Sequence, residues 1–287
     1  MEPSISLTHG NDTLEVNRFE PTTLSSSYSS VRTGATVTSW RVDGEEILFM
    51  SEKSLFDCTA PIRGGIPIVF PNFGPWALGP HHGFAHTMEW TIKEPPTQTD
   101  QDARVVLKLV DDDYTRSIWD HRFELSLSIT LKKSELDFQL AVTNNGGNGF
   151  EFTVLVHPYW KVPDVRECQL SGCHGTSFID KTRNYAESRE ERELVKVAEW
   201  TDSIYKETQD RHTLSGVSGN RTLLIDKKNL PDTVVWNPWS KMAAELPDFG
   251  SQEFLNMVCV EPGHVAKPIR LEPGRRFDAS CTFRIAE

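Results

Sequence analysis

The chain has 287 residues, a formal charge of −11 and a pI of about 5.3. That acidic balance argues against nucleic acid and anionic membrane as partners, and any phosphate-bearing ligand would need a local basic spot. The cysteines Cys58, Cys168, Cys173, Cys259 and Cys281 are scattered and odd in number. This is the pattern of a reduced, cytoplasmic protein rather than a disulfide framework. The opening residues hold no apolar segment of a signal peptide, and no run approaches the ~20 apolar residues of a membrane span. With 15 Phe and 8 Trp a sizeable core is possible. The length fits one large all-β domain over residues 1–287.

In chain order, Leu24–Ser30 is polar but too short for a linker. Arg63–Gly74 (RGGIPIVFPNFG) places two glycines after an arginine and brackets an apolar run with prolines. Glycines permit close backbone approach, prolines stiffen, and a guanidinium fork suits an anion. A tight turn with a surface arginine fits this composition slightly better. His81–Trp90 (HHGFAHTMEW) carries three histidines. His82 and His86 have the spacing of a zinc-binding helical pair, but Gly83 lies between them and no third ligand is evident, so no metal is expected. Cys168, Cys173 and His174 lack a fourth partner and are discounted likewise.

Strands dominate the rest of the chain. Val105–Val110, Phe123–Leu131 and Leu136–Thr143 read as strands, and the last two alternate with period two. Asn144–Gly149 is a strong turn signal before Phe150–His157, so Phe123–His157 predicts a three-stranded antiparallel meander. In FEFTVLVHPYW, Phe150, Phe152, Val154 and Val156 share one face; Glu151, Thr153, Leu155 and His157 share the other. A histidine ending the polar face, with Tyr159 and Trp160 behind a proline, could line a sugar site. Alone, it reads more simply as a strand end packed against its neighbours. Glu187–Lys196 fits a short helix or a solvated connection equally. Further strands are expected at Thr222–Ile225, Thr233–Trp236, Phe254–Glu261 and Ala279–Ile285. Val234–Trp239 (VVWNPW) offers two tryptophans as a wall for a pyranose or as a core corner. In MVCVEPGHV, Met257, Cys259 and Glu261 share a face, and a carboxylate ending an apolar strand must be compensated. It caps a turn or does acid–base work. Beside His157 the second reading becomes attractive, since the reference pKa values are about 4.3 and 6.5. A large antiparallel β-sandwich is the simplest architecture.

Together, RGGIPIVFPNFG, HGFAH, HPYW, TDSIY, VVWNPW and VCVEPG stand in the order and rough spacing of the hexose-6-phosphate 1-epimerases, and the chain resembles that family from about Arg63 to Gly263. The resemblance implies an all-β supersandwich of the galactose mutarotase-like kind, with the active site in a cleft of one sheet. It also implies a cofactor-independent, metal-free enzyme, here expected as a monomer, that interconverts the α and β anomers of glucose 6-phosphate. By motif match the catalytic acid falls on His157 and the base on Glu261. Arg63, His82 and Asp202 match positions that hold the sugar or its phosphate, with Asn72 beside them. Glu261 as carboxylate would take the O1 proton, and His157 as imidazolium would protonate the ring oxygen. Two departures stand out: His86 and Ser203 occupy places where the family usually has arginine. A 1-epimerase of unphosphorylated aldoses and a non-catalytic sugar-binding sandwich are the alternatives. If the ligand carries a phosphate, His86 as imidazolium would be a second cation beside Arg63.

Overall fold

The computed structural model describes residues 4–17, 30–31, 34–56 and 60–286. Cys58, and Leu24–Ser30 apart from the backbone of Ser30, lie outside them. Among the described residues two large antiparallel sheets face each other, with a four-stranded sheet (Ser4–His9, Asp12–Asn17, Val37–Val42, Glu45–Glu46) beside them. The nine-stranded sheet runs Gln169–Leu170, Arg211–Val217, Arg221–Lys228, Arg276–Ala286, Glu135–Asn144, Phe123–Lys132, Ala103–Val110, Trp90–Gln98, Ser30–Val31. The opposing sheet runs Ala186–Arg189, Ser177–Asp180, Thr201–Tyr205, Asp232–Asn237, Met257–Leu271, Phe150–Val156, Ile68–Val69, and Tyr159–Lys161 also pairs with Met257–Leu271.

Period-two patterning builds the core between the sheets. In register, Leu125 faces Val142, Leu127 faces Leu140 and Ile129 faces Phe138 across neighbouring strands, all buried. From the opposing sheet, Phe150 and Phe152 meet Trp119 and Phe277 at ring separations of 4.8 and 5.7 Å. One continuous cluster of buried side chains reaches from Ile5 to Ile285. No helix among the described residues is long and apolar enough to cross a membrane.

Several expectations change. Phe123–Lys132 and Glu135–Asn144 form the expected hairpin, but Phe150–Val156 leaves it and pairs with Met257–Leu271 and Ile68–Val69 in the other sheet. The connection before it is not a tight two-residue turn. The buried Asn144 amide donates to Asn148 O and Leu271 O, and Asn144 Oδ1 accepts from Gly146 N–H, tying the crossing to both sheets. The strand carrying Glu261 begins at Met257, after a 3₁₀ turn, and continues through Pro262-Gly263 to Leu271. Glu261 therefore sits within a strand rather than at its end. Beyond Gly263 the pairing with Phe150–Val156 shifts, and the Asp232 carboxylate accepts from the N–H groups of Val265 and Ala266 there. Glu187–Lys196 is not a helix: Ala186–Arg189 is a strand, and the buried Glu190 then accepts from Arg192 Nη2 and Tyr205 Oη. Short helices at Asp113–Ile118 and Trp239–Glu245 have no sustained 3.6 period to announce them.

The loop through His81–Trp90 is pinned by Gly83, whose φ is +73° and whose added Cβ would lie 2.3 Å from Phe70 O. Gly83→Ala is expected to cost about 1–3 kcal/mol, as strained backbone positions do. Urea denaturation measures this, and an unchanged midpoint would show that the loop absorbs a side chain there.

Candidate active site

The outer face of the eight-stranded sheet carries a cleft of about 790 Å³. Because side chains alternate, the strand that sends its phenylalanines into the core sends Leu155 the other way, to pack with Val69, Ile204 and Val234. Val69 and Val234 line the cleft. His157 comes directly after this strand, its N–H donating to Pro67 O at 3.0 Å. Glu261 projects from the adjacent strand. Thr201–Tyr205 lies two strands further across and brings Asp202 to the opposite side.

Arg63, His82, His86, His157, Asp202 and Glu261 all line this one cleft. Their motifs are spread over about two hundred residues, so the juxtaposition is a product of the fold. At its floor His157 Nε2 lies 3.5 Å from Glu261 Oε1, and both residues are buried. Neither carboxyl oxygen of Glu261 has a hydrogen-bond partner among the described residues, and neither has His157 Nδ1. The His157 ring stacks on Tyr159 at 4.8 Å and meets Trp236 edge-on at 6.3 Å.

Two ion pairs flank the couple. On one side Arg63 Nε donates to Asp248 Oδ2 at 3.1 Å and Nη1 donates to Tyr159 Oη at 3.3 Å. On the other, Lys181 Nζ lies 2.8 Å from Asp202 Oδ2 and 5.3 Å from the centre of the Phe73 ring. His82 Nδ1 accepts from Gly74 N–H at 3.1 Å. The imidazole is therefore neutral with its proton on Nε2.

Burial controls the protonation of these groups. It drives His157 down to about 3, with Arg63 adding to the effect. It lowers His86 to about 4, helped by His81 and Arg63. His82 falls well below the ordinary histidine range, mainly by burial and then through His157. Glu261 goes the other way, raised well above the carboxylate range by burial and by the charge of Asp202. Burial also raises Asp202, outweighing Lys181. For Arg63, burial is outweighed by Tyr159 and Asp248, which hold the guanidinium charged.

The expected charge states are therefore revised. By itself the couple favours a neutral imidazole beside a protonated carboxyl, because both charges lose solvent. The expected imidazolium at His86 is opposed by the same burial. Asn72 is not part of the cleft lining: its amide donates to the carbonyls of Phe73, Gly74 and Pro75 and so shapes the loop instead. Trp160 points into the core, 4.8 Å from Phe283, since it alternates with Tyr159. Trp236 lines the cleft, whereas Trp239 packs on Phe254 at 5.2 Å. Ser203 is buried and outside the lining. Lys181 joins the lining without a forewarning in the sequence, where a lysine after a short strand carries no distinguishing signal.

The histidine pair His82 and His86 and the set Cys168, Cys173 and His174 form no metal-sized group among the described residues. His157, Cys259 and Glu261 do, with donor atoms all within 4.8 Å of one another.

The aldose 1-epimerase family model matches residues 23–284. The chain belongs to the aldose 1-epimerase family. A protein of Cenchrus ciliaris named "Putative glucose-6-phosphate 1-epimerase" is 34% identical over 85% of this chain and 77% of its own length. One of the same name from Escherichia coli is 28% identical over 88% of this chain and 85% of its own. The crystal structure of a mutarotase-titled protein from Salmonella typhimurium superposes with a TM-score of 0.85 at 24% identity, covering 99% of this chain and 90% of that one. This likeness shows the all-β mutarotase-like fold that the motifs led us to expect.

The buried histidines set a direct test. On lowering the pH from 8 to 5, His157 and His86 should stay neutral, with His86 gaining its proton near pH 4 and His157 near pH 3. Ring ¹⁵N shifts read this site by site, and a midpoint near the reference ~6.5 for either would mean that water reaches it.

Proposed function

We propose that this chain, working as a single domain, interconverts the α and β anomers of glucose 6-phosphate by acid–base ring opening and reclosure. The observation that carries this is the His157–Glu261 couple, buried at the cleft floor with both carboxyl oxygens unpartnered. A buried carboxyl without donors is costly, and a sugar hydroxyl is the kind of donor that relieves it.

The couple holds one proton in either of its forms, Glu261–COOH with neutral imidazole or carboxylate with imidazolium. A hydroxyl donating to Glu261 favours the second form. Glu261 then takes the O1 proton while His157 protonates the ring oxygen O5. The C1–O5 bond breaks and C1 becomes an aldehyde. Rotation about C1–C2 turns the other carbonyl face to O5, and reclosure with both proton transfers reversed gives the other anomer. Each group is expected to contribute ~10²- to 10⁴-fold.

Asp202 and Lys181 form an acceptor–donor pair for sugar hydroxyls, and Trp236 and Tyr159 supply apolar walls. Arg63 is the group we assign to the phosphate, with His82 Nε2–H and neutral His86 as uncharged partners. The names of the relatives support the phosphorylated substrate. One observation favours a free aldose instead: both cations already have carboxylate partners, Asp248 for Arg63 and Asp202 for Lys181.

Anomer exchange followed by NMR with glucose, galactose and glucose 6-phosphate decides between them. Glu261→Gln and His157→Asn should each cut turnover at least ~10²-fold with the fold intact. Near-normal turnover in either would remove that residue from the mechanism. Arg63→Ala should lower kcat/KM for glucose 6-phosphate far more than for glucose. An unchanged ratio of the two sugars would return the reading to a plain aldose 1-epimerase.

A further inference from the structure

Cys259 lies against the His157–Glu261 couple, outside the cleft lining and within a buried apolar cluster, and the anomer exchange leaves it unused. It stands two positions before Glu261 on the same face of the strand, wholly buried, and opposite Tyr159 in register. Its Sγ, an imidazole nitrogen of His157 and a carboxyl oxygen of Glu261 lie within 4.8 Å of one another. The separation of Nε2 and Oε1 is 3.5 Å. Around a tetrahedral zinc ion, bonds of 2.0–2.3 Å place donor atoms about 3.3–3.8 Å apart. Closing on such an ion therefore takes side-chain movement on the order of 1 Å.

We propose that His157, Cys259 and Glu261 form a reversible inhibitory site for a thiophilic divalent cation, with zinc as its type. The donor set is one imidazole, one thiolate and one carboxylate, a combination that selects zinc over magnesium or calcium. Charge supports it. The thiolate and carboxylate together neutralise the ion, so the occupied site carries no net charge in a place where burial penalises any. The unpartnered carboxyl oxygens of Glu261, 1% exposed, are a second and independent sign of a site short of a counterpart. Binding releases the Cys259 thiol proton and the single proton of the couple, and no electron is transferred. His157 Nδ1 has no partner to orient the ring. Metal sites that lack this outer support bind more weakly, which suits inhibition rather than a permanent structural role. The ion occupies the lone pairs on which proton transfer depends, so metal and sugar exclude each other.

The test uses the full chain and cobalt(II) as a spectroscopic stand-in for zinc. We expect a one-to-one complex with thiolate-to-cobalt absorption in the near ultraviolet, displaced by zinc. Zinc calorimetry in buffers of different ionisation enthalpy should report protons released on binding. Cys259→Ser should abolish the absorption and weaken zinc binding at least ~10-fold, the lower end of what even outer-shell changes cost. Glucose or its 6-phosphate should compete with the metal, and zinc should slow anomer exchange with the same dependence on Cys259. Absence of a one-to-one complex in the wild type, or zinc binding that Cys259→Ser leaves unchanged, would overturn the proposal. Thermal melts check that the variant folds, with Cys259→Ala as a second choice. The wild-type cobalt spectrum decides even if both variants fail. It also needs no catalysis, so a failure of the anomer-exchange reading would remain distinguishable from a failure of this one.

Discussion

Desolvation of a carboxyl and an imidazole at the same spot is the constraint on which the site depends. In water Glu261 would be charged and His157 would titrate near neutrality. Buried together they exchange those tendencies, and the couple keeps one proton that either member can hold. An acid and a base that convert into one another by moving a single proton are suited to a reaction that must be run forwards and backwards on two faces of one carbon. The chemistry that interconverts anomers needs no net change of protonation, and neither does the couple.

That arrangement is costly to build, and the rest of the sheet is organised to hold it. Tyr159 covers one face of the imidazole while its hydroxyl accepts from Arg63, so the ring that shields His157 is itself fixed by the flanking ion pair. On the other side Trp236 bridges the distance between His157 and the Lys181–Asp202 pair, its strand lying between those of Asp202 and Glu261. The Phe150–Val156 strand serves two purposes. Its phenylalanines anchor the core shared by the two sheets, and Leu155 on the other face packs beneath Val69 and Val234, which line the cleft. Moving that strand by one residue would turn its phenylalanines to the outer face and carry His157 away from Glu261, which is why register and chemistry cannot be separated here.

Much of this is legible in the sequence because period two and side-chain chemistry are local properties. Alternation in Phe150–Val156 correctly divides the core face from the outer face, and places Met257, Cys259 and Glu261 on one face. The limits are those of local reading. Alternation also separates Tyr159 from Trp160, but aromatics near a histidine invite reading both as walls. Asn72 is attractive as a polar residue in a glycine- and proline-rich loop, yet its donors are consumed by three carbonyls of the same loop. Lys181 becomes significant only through its 2.8 Å approach to Asp202, a partner distant in sequence and two strands from Glu261. The crossing after Asn144 depends on carbonyl partners from a strand more than a hundred residues later. Protonation states are the least accessible, since they derive from burial rather than from residue type.

The same charge accounting bears on how a cleft on an acidic protein could accept a phosphate. Arg63 balances Asp248 and Lys181 balances Asp202, while the His157–Glu261 couple is neutral as a unit in its favoured form. A dianion entering this balance has no spare fixed cation among the cleft residues. It gains most where it can take donors from an existing partner without leaving that partner buried and alone. Burial already opposes the charge of Asp202, and loss of Lys181 would remove the cation that offsets it. Arg63 has a fork wide enough to keep Asp248 on Nε while turning an Nη edge to an anion. A phosphate is therefore accommodated more readily on the Arg63 flank, and the Lys181–Asp202 pair is better kept intact as a matched donor and acceptor for hydroxyls. In the proposed function the two flanks, similar in net charge, serve as an anion side and a polyol side. The proposed substrate then spans the His157–Glu261 couple, which lies between the two sides.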